Sequence, residues 1–410
     1  MLSTAFFPAY VVWELTLRCD LACTHCGSRG GRPRPHELST ERALEVVNEL
    51  AQMGTREVVL IGGEAYLHPG FLEIARALRE AGITPVVTTG GRGITAQLAR
   101  EMADAGIERV SVSIDGLEAT HDRMRALRGS FEAATAALHH CRDAGMAIAA
   151  NSNFNRLNRG DLEGLFEHLQ QQRVRAWQIQ LTTPLGRAAD RTDMLLQPWD
   201  LLELVPRVAA VKRRADEVPM TVMVGNNFGY FGPEEATLRS PRPGGDDHWR
   251  GCQAGRFVMG IESDGSVKGC PSLQTSHYVG GRVGEASMSA IWNEREALAF
   301  TRSRTVDDLW GFCRQCPFAA ACLGGCSFTA HAILGRPGNN PYCHFRARHF
   351  AKQGLRERLV PAAPARGEPF DHGLFEIVLE PLDAPEPAVA NADLVRITRR
   401  PQGRSRNMGD

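Results

Sequence analysis

No net charge sits on this chain, because 47 basic side chains balance 47 acidic ones. That balance removes any electrostatic reason to expect nucleic acid or a membrane surface as a partner. No run of 18 apolar residues occurs, so no spanning helix is expected. The opening "MLSTAFFPAYVVWELTLRC" lacks the basic segment and the small-residue cleavage site of a secretory signal, and a cytoplasmic location follows. Cysteine is missing from 27–140 and from 142–251. The 11 cysteines instead cluster, with three at 19–26, one at 141 and seven between 252 and 343. In a reducing compartment such clusters favour metal over disulfides, and an odd total argues against complete pairing.

From residue 11 to about 215, short β-branched runs alternate with amphipathic helical patterns. "YVVWELT", "REVVLIGGE", "ITPVVTTGG", "IERVSVSIDG", "MAIAANSNFN" and "VRAWQIQLTTP" read as six strands, each followed by a helix. "LSTERALEVVNELAQMG", for example, has Ser39 or Thr40 as N-cap and Gly54 as stop. Six β-α units predict an α/β fold with a parallel sheet, either an open doubly wound sheet or a partial barrel. Chemistry in both gathers at the C-terminal strand ends. A cysteine loop, "GGE", "TTGG", "SIDG" and "NSNFN" all fall there. Residues 217–250 read as a linker or lid, in which Tyr230, Phe231 and Trp249 could line a substrate groove. Residues 251–350 form the second cysteine region, opening with a hairpin that turns at Asp264-Gly265. The rest of the chain, 351–410, is Pro/Ala-rich and partly disordered, with one strand possible in "HGLFEIVLEPL".

Cys19, Cys23 and Cys26 lie at spacing C-x3-C-x2-C in "ELTLRCDLACTHCGS". A disulfide needs two thiols and a closed zinc site usually needs four. Three thiolates can hold three corners of a four-iron cube and leave one iron open to a ligand. A zinc knuckle borrowing His25 or His36 is the competing reading. "CDLACTHC" resembles the cluster motif of the radical S-adenosylmethionine (SAM) enzymes, and the likeness runs from residue 11 to about 215. The resemblance implies a partial (β/α)6 TIM-like barrel over residues 1–216. It also implies a [4Fe-4S] cluster on Cys19, Cys23 and Cys26, with SAM on its unique iron and cleavage to a 5′-deoxyadenosyl radical. By the same resemblance Gly62, Gly63 and Glu64 would meet the SAM amine. Ser113, Asp115, Asn151 and Asn153 would meet the ribose or carboxylate, and His25 the adenine edge. "TTGG" departs from the family's Thr-Asn-Gly.

The second cluster has the spacing Cys252-x17-Cys270, Cys313-x2-Cys316-x5-Cys322-x3-Cys326, x16-Cys343. This order resembles the SPASM domain, an iron-sulfur extension of hairpin and short helices. The likeness implies auxiliary [4Fe-4S] cluster I on Cys252, Cys270 and Cys326, and cluster II on Cys313, Cys316, Cys322 and Cys343. A fourth ligand to cluster I would come from Asp246, Asp247 or His248, or the iron is open. Cys141, on a helix pattern, reads as a small buried residue.

Auxiliary clusters suit a reaction that moves electrons after hydrogen abstraction, so a radical SAM oxidoreductase is expected. Its substrate would be a peptide or protein side chain, cross-linked or dehydrogenated, as in maturation of a ribosomal peptide. Only 18 residues precede Cys19, so leader recognition would fall to a separate protein. A flavodoxin or ferredoxin would donate electrons. The alternatives are a dehydrogenase or epimerase acting on a metabolite or sugar, and a non-catalytic iron-sulfur or zinc protein. No residue stands out as the general acid or base, although Glu234, Glu235 and Asp246–His248 lie in the lid stretch.

Overall fold

The computed structural model describes residues 6–385; the "RRPQGRSRNMGD" end, read as disordered, lies outside the described residues. Six strands form where the β-branched runs stand: β1 (Tyr10–Thr16), β2 (Glu57–Gly62), β3 (Thr84–Thr89), β4 (Arg109–Ser113), β5 (Ala147–Phe154) and β6 (Ala176–Leu181). They pair in parallel, each with the next. A short β7 (Thr221–Val224), within the stretch read as a linker or lid, extends the sheet beyond β6. On the other side of β1 runs β8 (Val258–Ile261), also parallel. Antiparallel β9 (Ser266–Lys268) and β10 (Val279–Arg282) follow it. The result is a ten-stranded sheet, β10-β9-β8-β1-β2-β3-β4-β5-β6-β7. The hairpin that opens the second cysteine region is thus an extension of the barrel sheet.

Period-two patterning sorts the two faces. Val110, Val112, Ile148, Ala150, Trp177 and Ile179 join the helix-side core. The residues between them, Ser111, Ser113, Asn151, Gln178 and Gln180, therefore point to the inner face. The covering helices start and stop as capping chemistry dictates. The Ser39 hydroxyl accepts from Arg42 N at 3.3 Å, and the Thr95 hydroxyl from Leu98 N at 3.1 Å. Cys141, on Ser130–Asp143, is fully buried in this core.

Three elements depart from the sequence expectation. A helix at Glu118–Arg125 follows β4 directly, where charged residues and a low apolar content hid it. Tyr230 and Trp249 line no groove: they are 1% and 4% exposed and pack edge to face at 5.3 Å. Near the chain end β11 (Leu355–Ala363) pairs with β12 (Leu374–Pro381), so two strands form where one was read. Pro361 within β11 masked it.

Arg346, on the helix His344–Ala351, meets Glu357 of β11 through two bonds of 2.6 Å, with both side chains buried. Asn339 Oδ1 and Asn340 O also accept from that guanidinium. Removing one member of a buried pair strands the other charge. Glu357→Ala is expected to cost about 3 kcal/mol, read as a lowered denaturant midpoint with the hairpin becoming protease-sensitive first.

Candidate active site and metal centres

The cysteine loop leaves β1 at its C-terminal end and is pinned to the end of β2. Gly63 N donates to Thr16 O at 2.8 Å and Glu64 N to Arg18 O at 2.7 Å. A Cβ on Gly62 would lie 2.2 Å from Thr16 O, and one on Gly63 2.0 Å from Arg18 O. The two glycines of "GGE" are therefore required by this close approach. Glu64 is buried; its carboxylate accepts from the Thr89 hydroxyl at 2.5 Å and from Gly90 N at 2.7 Å. Burial outweighs both bonds and pushes its pKa up to about 7. The second threonine of "TTGG" thus orients Glu64.

Each sulfur of the loop receives a donor. Leu21 N approaches Cys19 Sγ at 3.4 Å, Gly30 N approaches Cys26 Sγ at 3.3 Å, and Arg125 Nη1 approaches Cys23 Sγ at 3.5 Å. Such donors stabilise thiolate rather than thiol, which is the form that binds metal. Burial, with the Glu64 charge added, pushes the Cys19 thiol up to about 12, so metal loading must release its proton. The donor set fits an iron-sulfur cluster held at three corners.

Beneath the loop lies Asp115, at 0% exposure. Arg125 Nη2 stands 2.6 Å and His25 Nε2 3.1 Å from its Oδ2, while Asn153 N donates to Oδ1 at 2.9 Å. Burial acts to raise the Asp115 pKa, but Arg125 and His25 together hold it well below the usual carboxylate range. His25 keeps a buried Nδ1 with no hydrogen-bond partner, aimed away from Asp115. Ser113, Asn151 and Asn153 are half-buried along the adjoining strand ends, with Ser113 paired to Asn151 and Asn151 to Gln178.

Two further arginines, unmarked by any motif, hold the loop. Arg187 bonds Cys23 O at 2.7 Å and Gly30 O at 3.2 Å. Arg29 bonds the Asp190 and Asp371 carboxylates and the Gly186 and Glu368 carbonyls. Asp371 belongs to a strap, 366–373, that joins β11 to β12. Phe370 N donates to Gly27 O at 3.2 Å and Gly186 N to Asp371 O at 2.7 Å, so the strap lies across the loop.

The seven later cysteines separate into two groups. Cys252, Cys270 and Cys326 are close enough for their charges to couple. Cys313, Cys316, Cys322 and Cys343 line one small cavity walled by Phe231, Phe312, Phe318 and Phe345. Tyr230 and Trp249 sit between the groups: the Tyr230 hydroxyl accepts from Cys326 N at 3.0 Å, and Trp249 Nε1 donates to Cys322 O at 3.1 Å. Glu235 caps Phe231 N and Trp249 N, so it is not a free acid, and Glu234 lies 3.3 Å from His344 without a hydrogen bond between them. Asp247 pairs with Arg250, and the His248 ring packs on Phe231. Among the described residues no hydrogen bond or ion pair joins them to the three-cysteine group.

Three thiols at the mouth of a parallel barrel, with a buried carboxylate one strand away, define an iron-sulfur enzyme built to bind a small cationic cofactor. Residues 13–169 match the radical SAM superfamily and residues 252–317 the iron-sulfur cluster-binding domain SPASM. The protein is a radical SAM enzyme with a C-terminal SPASM domain; it uses SAM, a [4Fe-4S] cluster and auxiliary iron-sulfur clusters. An AdoMet-dependent heme synthase of Nitratidesulfovibrio vulgaris is 27% identical over 348 residues, covering 82% of this chain and 92% of the relative. Mycofactocin maturase MftC of Mycobacterium tuberculosis is 28% identical over 387 residues, covering 92% and 91%. Among solved structures, Streptococcus suis SuiB bound to precursor peptide SuiA shares the fold at TM-score 0.62 and 15% identity, over 82% of this chain and 75% of that one. anSMEcpe with bound AdoMet and Kp18Cys peptide does so at 0.67 and 16%, over 83% and 94%. No helix among the described residues is long and apolar enough to cross a membrane.

Arg125→Leu removes the donor to Cys23 and the main counter-charge of Asp115. SAM cleavage is expected to fall about 10- to 100-fold, the usual cost of losing an outer-shell partner. Iron content should fall with it, whereas Arg125→Lys should recover part of both.

Proposed function

We propose that the protein uses SAM to remove two electrons and two hydrogens from a side chain of a peptide or protein. The carrying observation is the open, amide-lined side of the barrel. β7 and β10 end the sheet and do not pair, and Thr221 and Met223 of β7 are exposed. From the SAM-facing Ser113, Asn151 and Asn153 the inner face continues toward that opening through Gln178 and Gln180, side-chain amides matched to peptide groups. Lateral entry suits a polymer segment, which a closed barrel would exclude. The peptides bound in SuiB and anSMEcpe and the maturase name of MftC support the same reading.

Cys19, Cys23 and Cys26 would hold the SAM-cleaving cluster, which when reduced supplies a one-electron hydrogen abstractor. Glu64, fixed by Thr89 and Gly90, would accept from the SAM ammonium, while Gly62 and Gly63 let backbone approach it. His25, turned by Asp115, would offer Nδ1 to the adenine edge. Ser113, Asn151 and Asn153 would meet the ribose and carboxylate. Asp115, already committed to Arg125 and His25, would position these groups rather than touch SAM. Cys252, Cys270 and Cys326 would hold one auxiliary cluster, and Cys313, Cys316, Cys322 and Cys343 the other. The buried Tyr230–Trp249 pair keeps water from the path between them.

A second reading, a tetrapyrrole substrate, draws on the heme synthase relatives and on three neighbouring imidazoles. His331 lies 5.2 Å from His372 and 5.7 Å from His277, centroid to centroid, with Tyr278 bonded to His331 at 2.7 Å. Anaerobic reconstitution should load about 12 iron atoms per chain and give 5′-deoxyadenosine under dithionite. A peptide encoded beside the gene should lose two hydrogens. An unchanged peptide, together with a Soret shift on adding iron coproporphyrin, would overturn the first reading for the second. Glu64→Gln should raise the KM for SAM about tenfold, worth about 1.4 kcal/mol, with kcat less affected.

A further inference from the structure

We propose that the strap 366–373 is a hinged gate across the open side of the barrel, with Phe370 as its pin. The inference rests on the lateral-entry reading above. The sheet stays open because β7 and β10 do not pair, yet the strap joins its two sides at the mouth. On one side it grips the chain just after β6. Gly186 N donates to Asp371 O at 2.7 Å, and Leu185 forms an antiparallel bridge with His372. On the other side it meets β9 and the turn beyond. The Phe370 ring centre lies 4.1 Å from Lys268 Nζ, and the Gln274 amide reaches His372 Nε2 at 3.5 Å. β6 and β9 each stand next to an end of the sheet. A polymer segment entering from the side therefore meets the strap first, and a segment continued in both directions enters only when the strap lifts.

The strap is built to move as one piece. Glycines stand near both ends. Gly367 has φ 95° and open space around it, and a Cβ on Gly373 would lie 2.7 Å from Ala363 O. Between them the Asp371 carboxylate accepts from Gly367 N and Glu368 N, so the segment carries its own bonds. Its apolar contact is a small cluster of Phe370, Leu185 and Ala332 with Phe328 against it, separate from the barrel core. Polar contacts hold it shut: the Arg29–Asp371 pair at 2.9 Å and Phe370 N on Gly27 O at 3.2 Å. Water replaces such bonds when the strap lifts.

Phe370 carries the strain of the closed state. Its φ is 56°, in the left-handed region that a bulky side chain rarely adopts. The ring is 8% exposed and lies near two cations, Lys268 Nζ and the Arg34 guanidinium, the latter at 5.7 Å. These contacts offset the strain while the strap is shut. Lifting relieves the strain and gives up the contacts, which keeps the two states close in free energy. Closed, the pin ties Gly27, next to Cys26, to the hairpin that leads to Cys270, and keeps water from the loop between them. Phe370 meets no reacting atom and is a positioning residue.

The test reads amide hydrogen exchange and iron release on the reconstituted holoenzyme, neither of which needs a substrate. In the wild type the strap amides should exchange about tenfold faster than those of β11 and β12. Phe370→Ala should speed strap exchange about tenfold further and leave β11 and β12 unchanged. Phe370→Tyr keeps a ring near both cations and should restore the wild-type rate. At equal starting iron content, a ferrous chelator should strip iron from Phe370→Ala about fivefold faster than from the wild type. Strap exchange in step with β11 and β12 overturns the gate. So does Phe370→Ala if its strap exchange or its iron release stays at the wild-type rate. Phe370→Tyr exchanging as fast as Phe370→Ala overturns the ring's part as pin. Should Phe370→Ala fail to fold, the wild-type comparison of strap and strands still decides. If the strap opens alone and the peptide encoded beside the gene returns unmodified, the peptide reading fails while the motion of the strap stands.

Discussion

The site depends on a loop without regular structure being held rigid by buried charge. Residues 17–31 bond to one another through Cys19 N, Cys26 N, Arg29 N and Gly31 N, and buried charge from outside fastens that loop to the rest of the fold. Arg125 bridges Cys23 to Asp115 from below, Arg187 gathers Cys23 O and Gly30 O from one side, and Arg29 ties the far end to Asp190 and Asp371. A guanidinium suits this work because it stays charged when buried and offers several fixed donors. Its cost of desolvation is offset only where a carboxylate or several carbonyls face it, and each of these arginines has such partners.

The same logic fastens the two cysteine regions together. Glu14 of β1 takes Arg34 and the Ser263 hydroxyl, while Glu262 at the end of β8 takes Lys268 at 2.5 Å and Arg34 at 3.3 Å. Lys268 is fully buried and also lies 4.1 Å from the centre of the Phe370 ring. Charged groups from β1, the post-cysteine loop, the β8–β9 hairpin and an aromatic of the strap thus meet in one place. Parallel pairing of β8 on β1 makes this contact possible. The relative placement of barrel and hairpin is therefore fixed by backbone pairing and by side-chain charge at once.

Much of this was legible in the sequence. Six strands and their helices follow from apolar periodicity and capping residues, which are local signals. The chemistry-bearing cysteines announced themselves by spacing, and the glycines of "GGE" by composition. Arg125, Arg187 and Arg29 did not, because their partners stand 102, 164 and 342 residues away. Nothing in a local window separates a surface arginine from one that will be buried by a distant turn. Asp115 was placed at the ligand by resemblance to the family; its burial against Arg125 is a tertiary fact. The helix Glu118–Arg125 was missed because its buried face is made of His121, Met124 and Arg125 rather than aliphatic residues.

The strap carries a consequence for the order of assembly. At synthesis rates of about 5–20 residues per second, roughly 17–70 s separate Arg29 from Asp371. During that interval the first cysteines have left the ribosome while their outer fence does not yet exist. Iron delivered then would enter a half-open cradle, exposed to oxygen and to competing thiols. Delivery after release would instead meet a loop with its strap already bonded across it.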